Sequence, residues 1–560
     1  MKTHPRIQEY LKNTLRFDLA AGLTVAMIAI PQTMAYAIIA GVNPIYGLYS
    51  ATLPAIIGSL FGSSSFLITG ASNASALAVA SILAVFSQSP NFLHYVFALS
   101  IASGIIKLIL GLLKQGKIIR FISNSVLTGF LTGVGILIVL NQVANLLGIA
   151  KPVRNGTIEY LAHVLGSIKT VNMTVFSLGL GAILLMAIMR RINRRLPSAL
   201  FVIILSAIIV SLFNLGDMGV KIVGDIGSIT NFGLIFSIPK IPFKDINTIL
   251  IGGLTISLFT LIETMSVAKA YSVKAGDPFN ASREFTAQGL ASIAGGFFSS
   301  IPTSGSPSRT SINYENGAKT KFSGVSSGII VLVAGLLLGK LIVYIPVTSL
   351  AGVVVFSALS LIDLDSIKQL WKTRFESKII FLLTLLATLF LDIQYAIYIG
   401  IALSIVVYLS QSSHLKISLI DFEDGEIIEN NFTEIDTHQK PYVILNLEGS
   451  LHFAAIEEFE ANVMRVINKQ IPNLILRFRR ADHIGSSGIM ALKRLKKEAE
   501  DKGINVFFSG LSQDLMIVFQ DAGLAGKNPE EFFYLKQKAV FSSEKAIIKA
   551  IMQKSKDNEK

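Results

Sequence analysis

Long apolar runs recur along most of this chain, and they constrain its fold more than any other feature. From Phe17 to Leu409 the sequence repeats apolar stretches of roughly 17–25 residues, each long enough to cross about 30 Å of hydrocarbon as a helix. Charged residues make up only 15% of the chain, whereas a soluble domain carries about 25%. After Gln411 the charge density rises and no further run of that length follows. The sequence therefore predicts a polytopic helical membrane region followed by a smaller soluble domain.

We assign fourteen membrane-embedded segments, seven in each half of the membrane region. They span roughly 17–37, 46–62, 70–86, 92–113, 122–147, 172–189 and 197–213, and then roughly 247–268, 284–299, 305–315, 324–339, 346–361, 378–391 and 394–411. With a cytoplasmic N-terminus, the inside loops hold about 16 Lys and Arg residues and the outside loops about 7, which supports both termini inside. Seven segments per half give the halves opposite polarity, the inverted-repeat plan of many secondary transporters.

The predicted domain organisation follows from these segments. We expect a cytoplasmic N-terminus at 1–16 and a transmembrane transport domain at 17–411, with repeats at about 17–213 and 247–411. A polar linker at 412–439, containing LIDFEDGEIIENN, precedes a domain at 440–560. In that domain YVILNLEG, NLILRF and INVFFSG alternate with a charged helix, SSGIMALKRLKKEAEDKG, which indicates a small α/β fold with a mainly parallel sheet.

Composition and motifs exclude several function classes. The chain has no cysteine, which removes disulfides, Cys-ligated metals and thiol catalysis. Its seven histidines are scattered without ligand-like spacing, so we expect no metal site and no cofactor. The stretch from Gly335 to Lys340, GLLLGK, is one residue short of a P-loop, which leaves ATP-driven transport unsupported. The net charge of +13 is typical of Lys and Arg in cytoplasmic loops and predicts no nucleic-acid partner.

Two segments are interrupted by polar residues. The third begins FLITGASNASALAVA and the tenth begins SSIPTSGSPSRTSINYENGAKT, and both occupy the same ordinal place in their halves. Each opens with an extended stretch, a Gly and a cluster of Ser, Thr or Asn. Such segments are tolerated at membrane depth only where they line a cavity or are buried in protein. We expect each to be a short strand that leads into a half-helix.

Two half-helices of this kind can hold an anion without a metal. The N-terminus of a helix presents unpaired N–H groups and roughly +0.5 of an elementary charge, so two such termini facing one another near the bilayer midplane form an anion site. The residues that open these half-helices and could donate hydrogen bonds are Ser72, Asn73, Gly305, Ser306 and Ser308. For any single serine, a plain helix cap is the alternative.

Two charged residues within membrane segments are further candidates. An arginine there costs at least about 2.5–3.5 kcal/mol, so Arg309 is expected to face a cavity and have a partner. That partner is either the anion or a carboxylate such as Glu263. A carboxylate in low dielectric can take up a proton near neutral pH, which makes Glu263 a candidate proton carrier for anion–proton symport. The alternative is a static partner for Arg309 or for a helix N-terminus.

Two stretches of the membrane region and the C-terminal region resemble a known family. The run DLAAGLTVAMIAIPQTMAYAIIAGVNPIYGLYS is similar to the hallmark motif of the sulfate permease (SulP) anion transporters. The stretch from Glu263 through DPFNASREFTAQGLASIAGGFFSSIPTSGSPSRTSINYENGAKT resembles the second conserved block of that family, and the C-terminal region resembles its STAS domain. The resemblance implies a 7+7 inverted repeat with core and gate domains that move as an elevator. It also implies a substrate site between the third and tenth segments, and a homodimer.

The resemblance also assigns site residues. By motif position, Gln32 and Tyr36 face the site from the first segment, Ser72 lies at the third half-helix, and Ser306, Ser308 and Arg309 lie at the tenth. Glu263 falls where sodium-coupled bicarbonate members carry an Asp, but those members place a Thr at the position of Val267, which favours protons over sodium here. The third segment contains GASNAS where many relatives have Gly-Pro, so substrate identity does not carry over.

The combined expectation is a secondary active transporter of a small anion of the sulfate, bicarbonate or dicarboxylate class. We expect it to be proton-coupled, to lie in a bacterial inner membrane and to be no enzyme. The alternative is an uncoupled anion channel or an anion exchanger on the same fold. A carrier of neutral solutes is less natural because of Arg309.

In the C-terminal domain, Ser486 and Ser487 lie in the loop that serves STAS-like domains as a phosphoryl-acceptor or partner surface. The Asp often found before that Ser or Thr is Gly485 here, so a simple helix cap is the favoured interpretation.

Overall fold

A computed structural model gives the fold of the chain. It describes residues 14–116, 123–150, 157–193, 196–226, 232–233, 236–391, 393–412, 415–423, 426–431, 441–451, 455–481, 483–524, 532–537 and 539–558. The chain forms two compact units, Met1–Ser404 and Ile405–Lys560. The first is almost entirely helical and the second contains a six-stranded sheet.

The first half of the membrane unit contains helices of very different length. Its elements are α1 (Leu15–Ile39), α2 (Pro44–Ser50), α3 (Leu53–Phe61), β1 (Thr69–Gly70), α4 (Asn73–Ile82), α5 (Phe92–Leu112), α6 (Asn124–Leu147), α7 (Thr157–Gly166), α8 (Met173–Ile192), α9 (Ser198–Leu212) and α10 (Val223–Ile226). Helices α4 and α9 have only 10 and 15 residues. A straight helix needs about 20 residues to cross the hydrocarbon core, so α4 does not span it alone.

The second half repeats this rhythm. Its elements are α11 (Ile246–Ala275), α12 (Ala281–Phe297), β2 (Ser304–Gly305), α13 (Pro307–Glu315), α14 (Phe322–Ile342), α15 (Val347–Leu359), α16 (Leu364–Trp371), α17 (Phe375–Phe390) and α18 (Ile393–Ser412). In the described part of the chain, eight helices are long and apolar enough to cross a membrane, and shorter apolar helices accompany them. Each of the fourteen predicted segments contains a helix, and the predicted fold class is confirmed.

The helical elements divide into two groups, here called the core and the gate. The core contains the segments α1 to α5 and α11 to α14, which pack on one another, and the gate contains α6 to α9 and α15 to α18. Helices α5 and α12 approach so closely that a Cβ on Gly289 would lie only 2.6 Å from the backbone nitrogen of Leu108. Small residues at such seams let membrane helices pack at van der Waals distance. This α5–α12 contact, here called the seam, holds α12, the helix that precedes β2, against α5.

The C-terminal unit is an α/β domain with sheet order β4-β3-β5-β6-β7-β8. Its elements are β3 (Lys416–Glu423), β4 (Glu426–Asn431), β5 (Val443–Glu448), α19 (Ile456–Ile467), β6 (Asn473–Arg480), α20 (Ser486–Asp501), β7 (Asn505–Leu511), α21 (Gln513–Asp521), β8 (Phe533–Leu535) and α22 (Ser542–Asn558). Strands β5 to β8 are parallel, and β3 pairs antiparallel with both neighbours. The sheet separates two apolar clusters, the larger containing α19 and α20 and the smaller containing α22.

Two sequence-based expectations for this domain differ from the structure. The stretch predicted as a linker at 412–439 forms the β3–β4 hairpin over 416–431, because Ile417 and Leu419 pack on the larger cluster while Ile420 packs on the smaller one. The remainder, 432–439, lies outside the described residues. Neither Ser486 nor Ser487 is the N-cap of α20, since that position is occupied by Gly485.

Candidate functional site

The two interrupted segments meet at paired strands. Strands β1 and β2 are antiparallel, with Thr69 opposite Gly305 and Gly70 opposite Ser304. One further backbone hydrogen bond extends the pairing, from the N–H of Ser306 to the carbonyl oxygen of Ile68 at 2.9 Å. Gly70 and Gly305 thus lie on neighbouring strands, and a short strand precedes each half-helix, as expected from the sequence.

Both half-helices begin within three residues of the paired strands. Ser72 is the N-cap of α4 and forms a capping box with Ser75, in which each side-chain oxygen accepts the backbone N–H of the other residue. Helix α13 starts at Pro307 after the N-cap Ser306, whose side chain makes no capping hydrogen bond. Proline suits this position because its missing N–H has no intrahelical partner to lose. The strand pairing therefore brings two positive helix ends to one location.

Glu263 joins the two half-helices through hydroxyl groups. Its Oε2 accepts hydrogen bonds from Ser72 Oγ at 3.0 Å and from Ser304 Oγ at 2.7 Å. The next residue, Thr264, accepts the backbone N–H of Gly305 at 2.8 Å through its Oγ1. Glu263 is almost fully buried. Helix α11 thus places a carboxylate where both interrupted segments can contact it, and its described hydrogen-bond partners are hydroxyls rather than Arg309.

Arg309 is fully buried and only partly hydrogen-bonded. Its Nη2 donates to the carbonyl oxygen of Ala71 at 2.6 Å, next to the N-cap of α4. Its Nε and Nη1 have no hydrogen-bond partner among the described residues. The guanidinium lies against Gly70, where an added Cβ would be 2.8 Å from Nη1. Unsatisfied buried donors are rare because each costs its desolvation energy, so this arrangement favours a ligand that accepts hydrogen bonds from the guanidinium.

The paired strands β1 and β2, together with Glu263 and Arg309, are here called the junction. The other predicted residues lie around it. Tyr36 is buried and close enough to Arg309 and Glu263 to interact with them electrostatically. Asn73 is buried with an unpartnered Oδ1, and Gln32 likewise has an unpartnered Oε1 among the described residues. Ser308 is half-buried. The backbone N–H groups of Gly305 and Ser306 are used by Thr264 and Ile68, so these two residues contribute to the strand pairing.

A cavity of about 250 Å³ extends from α13 to the gate helices. Gln32 from α1 and Ser308 from α13 line it on the core side. The gate contributes Arg190 from α8 and Ser357 from α15. The cavity therefore lies between the two helix groups and reaches a residue of the half-helix start.

Three residues at the junction were not predicted from the sequence. Ser304 and Thr264 were inside the quoted motifs, but nothing in their spacing distinguished them from neighbouring serines and threonines. Lys107 offered a clear signal, because it is the only Lys, Arg, Asp or Glu in the predicted segment 92–113. It is fully buried, and its Nζ donates to Thr303 O at 2.7 Å and to Ser292 Oγ at 3.1 Å. Over the described residues, no group of three His, Asp or Glu side chains is arranged to hold a metal ion.

Comparison with known proteins identifies the family of this fold. The model of the sulfate permease family matches residues 15–415, and that of the STAS domain matches residues 433–539. The chain belongs to the sulfate permease family. Its relatives are transporters rather than enzymes, and the chain is a multi-pass membrane protein with a C-terminal STAS domain.

Relatives and solved structures agree with this assignment. The chain is 29% identical to the chloroplastic sulfate transporter 4.1 of Arabidopsis thaliana, over 95% of this chain and 80% of that protein. It is 28% identical to a probable sulfate transporter of Mycobacterium tuberculosis, over 95% of each. The fold matches the murine solute carrier 26 family member A9 anion transporter in its inward-facing state with a TM-score of 0.87, at 18% identity over 98% of this chain and 94% of that one. It also matches the transmembrane domain of the cyanobacterial bicarbonate transporter BicA, with a TM-score of 0.60 at 25% identity, over 71% of this chain and 97% of that one.

Proposed function

We propose that this protein is a secondary active transporter of a small anion, which binds where α4 and α13 begin. The observation that carries the proposal is Arg309, a fully buried guanidinium beside the N-cap of α4 with two nitrogens that have no partner in the described part of the chain. An oxyanion at this point would accept charge-assisted hydrogen bonds from guanidinium nitrogens that are already in place. The positive ends of both half-helices favour the same negative charge.

The anion would contact groups from three elements. From the half-helices we include Ser72, Asn73, Gly305, Ser306, Ser308 and Arg309, and from α1 we include Gln32 and Tyr36. The hydroxyls and the first-turn N–H groups can donate to an oxyanion, whereas Gly305 keeps the strand close enough for α13 to reach it. The relatives named for sulfate and the structural neighbour named for bicarbonate make these anions the first candidates.

We further propose that Glu263 carries the coupling proton. Its partners Ser72 and Ser304 are hydroxyls, which donate to a carboxylate and can rotate to accept from a carboxylic acid. Glu263 can therefore gain or lose a proton without losing its contacts. A proton here would lower the negative charge beside Arg309 and strengthen binding of an anion, so proton and anion would bind together.

Alternating access would follow from movement of the core against the gate in an elevator-type cycle. Support comes from the packing, because the half-helices belong to the core while α8 and α15 of the gate line the neighbouring cavity. We propose a homodimer in a bacterial inner membrane, with both termini in the cytoplasm, as the loop charges suggest.

Uptake into proteoliposomes tests the proposal. Purified protein is reconstituted, and uptake of labelled sulfate and of labelled bicarbonate is measured with an inward proton gradient and without one. We expect the gradient to drive accumulation in the wild type. In E263Q we expect uptake to continue without following the gradient, because the amide cannot exchange a proton. E315Q is the matched control, since Glu315 lines the cavity without contacting Ser72 or Ser304.

The same assay separates the alternative function. An uncoupled channel or an exchanger would move the anion equally well with and without the proton gradient. If wild-type uptake does not depend on the proton gradient, transport is not coupled to protons. If uptake by E263Q still depends on the gradient, Glu263 is not the proton carrier.

A further inference from the structure

Lys107 is a fully buried cation that the proposed mechanism does not use. It lies on α5, in the seam with α12, where Gly104 and Gly289 allow close helix packing. A charged side chain within a membrane segment is costly and usually marks a functional position. Among the described residues no carboxylate lies within ion-pair distance of its Nζ, which donates instead to Thr303 O and Ser292 Oγ. Its charge is therefore not cancelled by a direct partner.

The contacts of Lys107 lead directly to the anion site. Thr303, whose carbonyl accepts from Lys107, is followed by Ser304, whose hydroxyl donates to Glu263. Lys107 and Glu263 thus hold adjacent residues of the same short chain segment, and they are close enough to interact electrostatically. Arg309 holds the opposite strand end through Ala71. One carboxylate and two cations consequently surround the paired strands.

We propose that Lys107 is a specificity-determining residue that sets the valence of the transported anion. This inference rests on the proposed function. In their ordinary charged forms Lys107 and Arg309 each contribute one positive charge and Glu263 contributes one negative charge. The formal net charge of these three groups is therefore +1, or +2 once Glu263 is protonated. A site with two positive charges in a low-dielectric environment favours a divalent oxyanion over a monovalent one.

The remaining titratable groups near these elements do not change this balance. Tyr36 is neutral in its ordinary form. Glu284, on α12, accepts the backbone N–H groups of Ser63 and Ser64 at 2.7 and 3.1 Å and interacts electrostatically with Lys321. Its charge is thus offset at its own location, and the balance at the paired strands is decided by Lys107, Glu263 and Arg309.

Competition against labelled sulfate uptake in proteoliposomes tests this inference. Unlabelled sulfate, bicarbonate, nitrate and chloride compete in the wild type, K107Q, K107M and K107R. K107Q replaces the ammonium with a neutral amide that still carries hydrogen-bond donors. We expect K107Q to lower the preference for sulfate over the monovalent anions about tenfold, whereas K107R keeps it. K340M is the matched control, because Lys340 lies in α14 with an exposed side chain.

Each outcome is decisive for one proposal. If K107M does not fold, K107Q and K107R alone compare a neutral and a charged side chain at this position. A K107Q variant that transports sulfate with the wild-type preference overturns the role of Lys107. A wild-type protein that takes up none of these anions overturns the proposed function itself and leaves no selectivity to assign.

Discussion

Two buried arginines in this chain have opposite environments. In the STAS domain, Arg477 donates from Nε to Glu544 at 3.1 Å and from Nη1 to Asn446 at 2.6 Å, and its guanidinium lies over the ring of Phe541. Ser509 donates to the same Glu544 oxygen at 2.8 Å. In the membrane unit, Arg309 has one hydrogen bond, to a backbone carbonyl, and two unpartnered nitrogens among the described residues.

The difference separates a structural charge from one that we propose is reserved for a ligand. A buried ion pair whose remaining groups are satisfied holds a fold together, although it need not stabilise it relative to apolar residues. A buried cation with free donors costs free energy in the empty protein, and this cost is recovered only when an acceptor binds. Arg477 therefore fits the first description and Arg309 the second.

The largest expected effect is that of R309A on transport. We expect uptake of labelled anion to fall by about two orders of magnitude, since two hydrogen bonds to a charged group are lost at roughly 1.5 kcal/mol or more each. Thermal stability without anion should fall much less than uptake, because the only described hydrogen bond that the variant loses is the one to Ala71. R309K keeps the charge without the planar guanidinium and should give intermediate uptake. If uptake by R309A stays within a factor of two of the wild type, the distinction between Arg309 and the structural Arg477 is wrong.

The next effect concerns the arginine in the STAS domain. We expect R477M to lower the free energy of unfolding of that domain by about 3–5 kcal/mol, because Glu544 is left buried and unpaired. The double variant R477M/E544L should lose much less, since it removes both charges. Hydrogen exchange of β6 and β7 in the full-length protein measures the change. Equal losses in the single and double variants would mean that the pair is not the source of the effect.

A smaller effect is expected from G70A. A Cβ at this position would be 2.8 Å from Nη1 of Arg309 and 3.0 Å from the carbonyl oxygen of Ser50. The overpacking should displace the guanidinium at a cost of about 1–3 kcal/mol and reduce anion uptake by about tenfold or more. G181A is the control, since a Cβ there meets nothing within 4 Å. If G70A takes up the anion as fast as the wild type, the guanidinium of Arg309 does not make the functional contact at this location.

The smallest effect is a pH dependence in the STAS domain. Partial burial raises the pKa of Glu448, but hydrogen bonds from Arg480 and Asn446 outweigh it and hold the pKa below its usual value of 4.5. The stabilisation is therefore present above the unfolded-state pKa and is lost as the pH falls through the folded-state value. We expect E448Q to remove at most about 1 kcal/mol of this acid sensitivity, because Arg480 is largely exposed. Denaturation of the full-length protein between neutral and acidic pH measures it, and an unchanged acid profile in E448Q would assign the sensitivity to other carboxylates.

The sequence predicted the fold of the membrane region well because lipid imposes a simple rule. Every backbone group in hydrocarbon must be paired within a helix, so segment length and apolar composition suffice to locate most helices. The two interrupted segments were equally visible, since clusters of Ser, Thr and Asn break that rule. The β3–β4 hairpin was missed because its charged residues conceal an alternating pattern that packs Leu419 and Ile420 on opposite faces of the sheet.

The candidate site was only partly predictable. Ser72, Glu263 and Arg309 were identified from sequence, but their partners were not. Glu263 was interpreted as a proton carrier or as a static partner for Arg309 or for a helix N-terminus. It accepts hydrogen bonds from Ser72, the N-cap of α4, and from Ser304. Partners from α4 and from the segment before α13 are separated along the chain by 191 and 41 residues from Glu263, and no local pattern reports such a contact.

By itself the sequence determined which segments enter the membrane, that two of them are broken, and which charges go with them, because hydrophobicity and charge act on each segment separately. Only the tertiary structure decided that β1 and β2 pair, and that Lys107 and Glu263 contact the adjacent residues Thr303 and Ser304. It alone also decided that two nitrogens of Arg309 have no partner among the residues that the structure describes. These features depend on which helices pack together across the two halves of the chain. Packing is a property of the whole fold, and the order of residues along one segment does not contain it.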